Sequence, residues 1–250
     1  MTLAALAQEA VLLAAVVFCR VGACLMVMPG FSSTRAPMQL RLFIAIAASL
    51  AVAPVAAPAL TPLPRPADWL GLVALMASEL ATGLAIGVMA RLFFLSLQFL
   101  ATAAATAIGY ANVGGGVEDG DAEPEFATLF TLSAAALFFL LDLHLETVRA
   151  LAGTYAVIAP GGGLPQHLPR IADTLASATL LALQVVSPFI VLSVILNFLF
   201  GVANKLAPQA PVAFISAPFV LAGGLYIALA VSSDALTVFM AGFSAWLRGQ

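Results

Sequence analysis

The chain is a succession of long apolar runs separated by short polar, proline-rich or glycine-rich connections. A run of about twenty apolar residues is what one membrane-crossing helix requires. The run 69–113 is about twice that length and is interrupted only at Glu79, Arg91 and Gln98. We predict that it divides at Arg91 into two spans or a long hairpin. The pattern then gives about six to seven apolar helices, kinked where prolines fall inside or beside them, in the runs 10–28, 40–60, 69–113, 126–148, 175–200 and 212–232.

Composition narrows the class of protein. Of 250 residues, 63% are hydrophobic and 8% are charged, with nine Lys and Arg against twelve Asp and Glu and a net charge of -3. So few charged side chains cannot cover a water-soluble fold of this size, and disordered chains are rich in charge and poor in apolar residues. The small number of bases excludes nucleic acid as a partner. The sequence therefore predicts an all-α polytopic membrane protein, in contact with lipid, forming a single integral membrane domain over residues 1–250.

Two connections differ from the apolar runs. Five of the twelve acidic residues and four glycines fall within 114–125, which predicts a flexible acidic loop. A second loop, rich in glycine and proline, is predicted over 159–170.

Basic residues are unevenly distributed among the connections. With seven spans, six bases fall on one side of the membrane and two on the other, which predicts an external amino terminus and a cytoplasmic carboxyl terminus. The six are Arg35, Arg41, Arg91, Arg149, Arg170 and Arg248, and the two are Arg65 and Lys205.

Few ionisable groups lie at membrane depth, namely Arg20, Glu79, Arg91 and the cluster at 142–146. An isolated charge in hydrocarbon costs on the order of a few kcal/mol, so Arg20 and Glu79 each need a partner. We predict that they pair with one another; contacts with a neighbouring subunit and an ion or proton pathway are the alternatives. Gly83 and Gly87 form a GxxxG pattern, which allows two helix backbones to approach closely.

A polar cluster lies near the end of the run 126–148. Asp142 and His144 are two residues apart, so on a helix they point in nearly opposite directions and cannot share a metal ion. We expect a solvated helix end. The chain also has no nucleophile elbow and no phosphate-binding glycine loop. The sequence therefore predicts no catalytic, cofactor-binding or metal-binding residue, and a protein that is not an enzyme.

Several short motifs follow one another along the chain. They are RVGA at 20–23, MPGFSS at 28–33 with Pro37 and Arg41, ELATGLAIG at 79–87, DLH at 142–144, PG at 160–161, and Asn197, Gly201, Lys205, APQ at 207–209 and Pro218. In this order they resemble the FliR family of flagellar export-gate components, which has a counterpart in virulence-type III secretion. The likeness covers about residues 10–230. Leu143 stands where the family usually has Gly, and Ala-Pro-Val at 210–212 replaces a more usual Leu-Asn-Val.

The resemblance implies a non-enzymatic role in the bacterial inner membrane, within the flagellar basal body. It implies that the helices pack into a helical assembly with several copies of two smaller gate proteins, alongside the switch-type gate protein of the same apparatus. That assembly forms the pore through which unfolded flagellar subunits leave the cytoplasm, and flagellum assembly requires it. A virulence-type gate subunit is the alternative. A secondary transporter is less favoured because no inverted repeat is visible.

The family also carries a loop that closes the pore before its fifth apolar segment. In this chain the corresponding stretch is rich in glycine, which gives mobility, and in acids, which keep it out of hydrocarbon. We expect it to act as a gate plug. Its residues are Gly109, Tyr110, Asn112, Gly114, Gly115, Gly116, Glu118 and Asp119.

Overall fold

A computed structural model describes residues 3–31, 37–60, 68–108, 125–161, 167–207, 209 and 212–249. Within these ranges every regular element is an α-helix, and the predicted all-α class is confirmed. The helices are α1 (Leu3–Val27), α2 (Met38–Leu60), α3 (Trp69–Ile108), α4 (Glu125–Leu140), α5 (Leu143–Val157), α6 (Leu168–Leu206) and α7 (Val212–Arg248).

Most of these helices are long and apolar enough to cross a membrane. In the described part of the chain α1, α2, α3, α6 and α7 meet that condition, and α4 with α5 adds a sixth crossing if the bent pair counts as one span. The polytopic membrane class is therefore confirmed. Prolines lie inside three helices, where each removes one backbone donor: Pro54 and Pro58 in α2, Pro188 in α6 and Pro218 in α7.

The predicted division of the run 69–113 at Arg91 is wrong. α3 continues through this position as one helix of 40 residues, because the Arg91 side chain is exposed and the surrounding residues are good helix formers. A hydropathy pattern shows the charge at Arg91 but not whether the helix ends there. The orientation inferred from the basic residues assumed a crossing that ended at Arg91, so the continuous helix removes that inference.

The run 126–148 was predicted as one span, and the structure divides it. α4 ends at Leu140, and α5 begins at Leu143 with a bend of 71° between them. Asp142 adopts the left-handed conformation at the break, with φ of 55°, and its carbonyl accepts hydrogen bonds from the amides of Leu145 and Glu146. Because the break consists of an apolar Leu and one Asp, no proline or glycine announces it in the sequence.

Two other boundaries differ from the predicted ones. α6 begins at Leu168, so residues 168–170 of the predicted glycine-proline loop are helical. α7 extends to Arg248, well past the predicted end at 232, because its last turns remain apolar and carry a basic residue near the carboxyl end.

The helices pack into two compact units. Unit 1 comprises Met1–Leu92, Phe138–Ala176 and Ser244–Gln250, and unit 2 comprises Phe93–Leu137 and Ser177–Phe243. The single domain expected for residues 1–250 stays a prediction.

Unit 1 has a core built from four helices. Small residues of α2 allow the neighbouring helices to pack closely around larger aliphatic side chains. The buried cluster comprises Val17, Val21, Cys24 and Leu25 of α1, Ala45, Val52, Ala53 and Ala56 of α2, Ile86 and Met89 of α3, and Leu151 and Tyr155 of α5.

Unit 2 is held by aromatic pairs in edge-to-face geometry. Phe94 contacts both Phe239 and Phe243 at ring-centroid distances of 5.7 Å. Phe130 packs against Phe189 in the same way at 5.7 Å. Such pairs contribute about 0.5–1.5 kcal/mol each beyond the burial of their area, so they fix how α3, α4, α6 and α7 meet within this unit.

Candidate functional site

The central feature of unit 1 is a fully buried ion pair between α1 and α3. Arg20 Nε donates to Glu79 Oε2 at 2.7 Å, and Arg20 Nη2 donates to Glu79 Oε1 at 2.9 Å. Both side chains have 0% exposure. The parallel two-bond geometry matches the guanidinium fork to the carboxylate, which is the arrangement that best offsets the loss of hydration. The structure thus brings together the two residues whose pairing the sequence predicts.

α5 supplies further partners to the arginine. Arg20 Nη1 donates to the Thr154 hydroxyl oxygen at 3.3 Å, while that hydroxyl donates to the Leu151 carbonyl at 2.6 Å. The guanidinium carbon also lies 4.0 Å from the centroid of the Tyr155 ring, a cation–π contact that is strengthened because both side chains are buried. The ion pair therefore joins three helices, α1, α3 and α5.

A backbone turn supplies the remaining contact of the carboxylate. The Gly161 amide donates to Glu79 Oε1 at 3.2 Å. Gly161 has φ of +88°, a conformation that L side chains rarely adopt, so a glycine suits this turn. The Pro-Gly pair after α5 is thereby tied to the same cluster.

Gly83 and Gly87 explain how α1 can approach α3 closely enough for the pair to form. A Cβ atom added to Gly83 would collide with the Arg20 carbonyl oxygen, and one added to Gly87 would lie 2.7 Å from the Cys24 carbonyl oxygen. Successive contacts advance by four residues on both helices, so α1 and α3 run parallel. The GxxxG pattern therefore places the two backbones in contact one turn after Glu79.

Asp142 and His144 do not form a joint site. Asp142 is exposed at the break between α4 and α5, whereas His144 is half-buried with its ring 5.6 Å from that of Phe139. Glu146, on the same helix, lies 3.8 Å from Arg149 and 3.3 Å from Arg248, the latter a contact that the sequence did not predict. No group of three metal-ligating side chains lies together in the described ranges.

Three side chains of unit 1 have buried polar atoms without a hydrogen-bond partner among the described residues. The atoms are His144 Nδ1, the Tyr155 hydroxyl oxygen and both ring nitrogens of His167, whose side chain is 1% exposed. Burial, together with the positive charges of Arg170 and Arg20, lowers the pKa of His167 below its ordinary value. Both causes favour the neutral form of the ring.

The predicted plug lies outside the described residues. Gly109, Tyr110, Asn112, the glycines 114–116, Glu118 and Asp119 all fall in the interval between the end of α3 at Ile108 and the start of α4 at Glu125.

Thr154, Tyr155 and Gly161 are the contacts of the ion pair that the sequence did not predict. α5 also carries His144, Glu146 and Arg149, so the polar side chains of Thr154 and Tyr155 did not stand out in its sequence. Their distance from Arg20 along the chain gave no indication of contact, because only the packing of α5 on α1 creates it.

These features define a multi-pass, all-helical membrane protein whose buried polar groups hold helices together. The chain matches the family described as bacterial export proteins, family 1, over residues 11–246, and it belongs to that family. It is similar to the flagellar biosynthetic protein FliR of Caulobacter vibrioides, with 28% identity over 231 residues that cover 90% of this chain and 91% of the relative. The resemblance drawn from the motifs is thereby confirmed. The family is one of export components and not a known enzyme family.

Proposed function

We propose that this protein is a component of the flagellar type III export gate, which helps to form the pore for unfolded flagellar subunits across the inner membrane. The observation that carries the proposal is the match to the export family over nearly the whole chain. The similarity to a flagellar biosynthetic protein, which covers about nine-tenths of both chains, supports it. We place it within the flagellar basal body, where flagellum assembly requires it.

The proposed partners are two smaller multi-copy gate membrane proteins and the switch-type gate protein. Support comes from the large apolar side chains that the structure leaves exposed. On α6 they include Leu180, Val194 and Phe198, which are 62%, 62% and 71% exposed. Lipid or apolar helices of neighbouring subunits must cover such surfaces. In the assembly we assign that role to the other gate proteins.

The buried ion pair gives this component a rigid part. Arg20 and Glu79 fix α1, α3 and α5 to one another, and breaking a buried pair costs several kcal/mol. A pore that opens and closes requires a fixed frame and a part that closes it. We assign the frame to the helices joined by this pair and the closure to the expected plug, at about residues 108–124.

Gene deletion tests the proposed function. Cells without this chain should fail to swim and should secrete no hook or filament subunits into the medium, and a plasmid copy should restore both. Undiminished swimming of the deletion strain would refute a flagellar role. Loss of other secreted proteins with swimming intact would assign the chain to a virulence-type system instead.

A second experiment tests the plug. A variant lacking residues 109–119 should leak ions across the inner membrane when expressed with the other gate proteins. A full-length variant carrying Glu118→Gln and Asp119→Asn is the matched control, because it keeps the segment and removes two charges. A deletion variant that leaks no more than wild type would show that the segment does not close the pore.

A further inference from the structure

His167 is a buried side chain whose polar atoms have no partner. It lies directly before α6, and it is 1% exposed. Neither ring nitrogen has a hydrogen-bond partner among the described residues, and none of their carboxylates lies within ion-pair distance of the ring. A buried polar group without a hydrogen bond costs free energy even when it is neutral, and a buried charge without a partner costs far more. This position therefore accepts the neutral imidazole much more readily than the protonated one.

The charges that act on this ring are positive. Burial of the ring, followed by the charges of Arg170 on α6 and Arg20 on α1, lowers the pKa of His167. On α3 the Glu79 carboxylate is bound to Arg20, and both of its oxygens already accept hydrogen bonds. On α5 the Tyr155 side chain lies against Arg20 and is uncharged below pH 8. The helices around the cluster thus offer the imidazole two cations and no free carboxylate among the described residues.

The amino end of α6 acts in the same direction. The His167 carbonyl accepts a hydrogen bond from the Ile171 amide at 3.0 Å, so His167 is the residue that caps this end of the helix. Amides without a helical partner give the end a partial positive charge, and the first turn contains Arg170 and no acidic residue. A protonated imidazole would bring a further positive charge to this end of the helix.

His167 belongs to the face of α6 that packs within unit 1. His167, Ile171 and Thr174 are spaced by four and three residues, which places them on one side of the helix. Ile171 packs against the buried core cluster of unit 1. Thr174 is 5% exposed, and its hydroxyl oxygen accepts a hydrogen bond from Trp246 Nε1 at 3.3 Å. This face joins the start of α6, up to residue 176, to the rest of unit 1, and His167 lies at its first position.

We propose that His167 is a pH-sensitive lock on the start of α6: the neutral ring keeps residues 167–176 packed within unit 1, and protonation of the ring releases them. A charged imidazole leaves the buried position because in water it is hydrated and further from the two guanidinium groups. Ile171 and Thr174 follow it, since they lie on the same face of the helix. The lock concerns unit 1 by itself and does not depend on the proposed export function.

The direction of the pH response follows from the lowered pKa of the packed ring. A released His167 binds a proton below about pH 6.5, whereas the packed one resists protonation, so the packed state loses stability as the pH falls through this value. The equilibrium constant for release should rise by at most about tenfold per pH unit, and by at most about thirtyfold between pH 7.5 and pH 5. Ordinary carboxylates titrate mainly below this range, and the chain has one other histidine, His144.

Amide hydrogen exchange of the full chain in detergent measures the release without any substitution. Protection factors, which are corrected for the pH dependence of exchange in an unstructured chain, should fall in residues 168–176 between pH 7.5 and pH 5. They should stay constant in residues 45–56 of α2, another part of unit 1. Unchanged protection of 168–176 would overturn the lock. An equal fall in α2 would also overturn it, because acid would then unfold the whole unit instead of releasing one segment.

Two variants assign the response to one ring. His167→Gln keeps a polar side chain that cannot be protonated in this range, so the protection of 168–176 should no longer depend on pH. His144→Gln is the matched control, because His144 is a half-buried residue of α5, and this variant should respond as wild type does. A response that persists in His167→Gln, or that is lost in His144→Gln, would belong to another group and would refute the proposal.

Discussion

Removing one member of the Arg20–Glu79 pair should destabilise the protein far more than removing both. Arg20→Met leaves the Glu79 carboxylate buried with one remaining donor, the Gly161 amide at 3.2 Å. Glu79→Leu leaves the guanidinium with the Thr154 hydroxyl and the Tyr155 ring. The double variant Arg20→Met/Glu79→Leu leaves neither charge in the interior.

The magnitudes follow from what each variant leaves unpaired. A buried charge that loses its partner costs about 3–5 kcal/mol, and Arg20→Met should lie in that range. Glu79→Leu should cost somewhat less, because the guanidinium keeps an oxygen acceptor and an aromatic face. Replacing a whole buried pair by apolar side chains is often nearly neutral, so the double variant should be more stable than either single variant. The coupling free energy of this double-mutant cycle should therefore be at least about 3 kcal/mol.

The native cysteines provide the assay. Cys24 is fully buried and Cys19 only half-buried, so all variants are made in a Cys19→Ala background. A thiol-reactive fluorescent dye then reacts only when the helices separate, and its signal on heating reports unfolding of detergent-solubilised protein. Arg248→Met is the matched control, because its contact with Glu146 at 3.3 Å is made by a side chain that is 67% exposed. Exposed pairs contribute about 0–1 kcal/mol, so this variant should unfold close to wild type.

Additivity would refute the reasoning. If the unfolding shifts of Arg20→Met and Glu79→Leu sum to that of the double variant, the two charges do not depend on one another in the folded protein. If Arg248→Met shifted the unfolding temperature as much as Arg20→Met, burial would not determine how much the loss of an ion pair destabilises the protein.

Two further predictions concern backbone positions. Gly83→Ala should destabilise the protein by about 2–3 kcal/mol or more, because the new Cβ meets the Arg20 carbonyl. Gly201→Ala, the matched control, should be neutral or slightly stabilising, since a Cβ there has nothing within 4 Å. Equal shifts of the melting temperature for both variants would contradict this prediction. Asp142→Gly should leave stability unchanged or raise it, and Asp142→Val should lower it by about 1–2 kcal/mol, because a β-branched residue is strained at φ of 55°. The same dye assay measures both, and a Val variant as stable as wild type would be the contrary outcome.

Part of the candidate site could be predicted because charge in an apolar run imposes a requirement on the fold. Arg20 and Glu79 stand in runs with almost no other charge, so the cost of burial alone requires a partner for each. Gly83 and Gly87 carried a geometric prediction of the same kind, since only close backbones benefit from two glycines four residues apart. Thr154 and Gly161 carried no such requirement and became members of the cluster only through packing.

The helix boundaries show the opposite case. An exposed arginine does not end a helix whose backbone hydrogen bonds are intact, so α3 passes through Arg91 although the hydropathy pattern is interrupted there. Conversely, the break at Asp142 depends on one residue in the left-handed conformation within a run that is apolar on both sides. Hydropathy reports the surroundings of side chains, whereas helix ends depend on backbone dihedral angles.

The amino-acid sequence by itself determined the solvent, the helical class and the need for charge pairing, because each follows from the cost of placing backbone and side-chain polar groups in hydrocarbon. Only the tertiary structure decided that α1 and α3 run parallel, that α5 completes the cluster around Arg20, and that the turn at Gly161 binds Glu79. Arg20 lies 59 positions from Glu79 and 134 from Thr154, and Glu79 lies 82 positions from Gly161. Contacts between residues so far apart leave no periodic pattern in a sequence. They exist because small residues allow helices to approach, and the approach then selects which side chains meet.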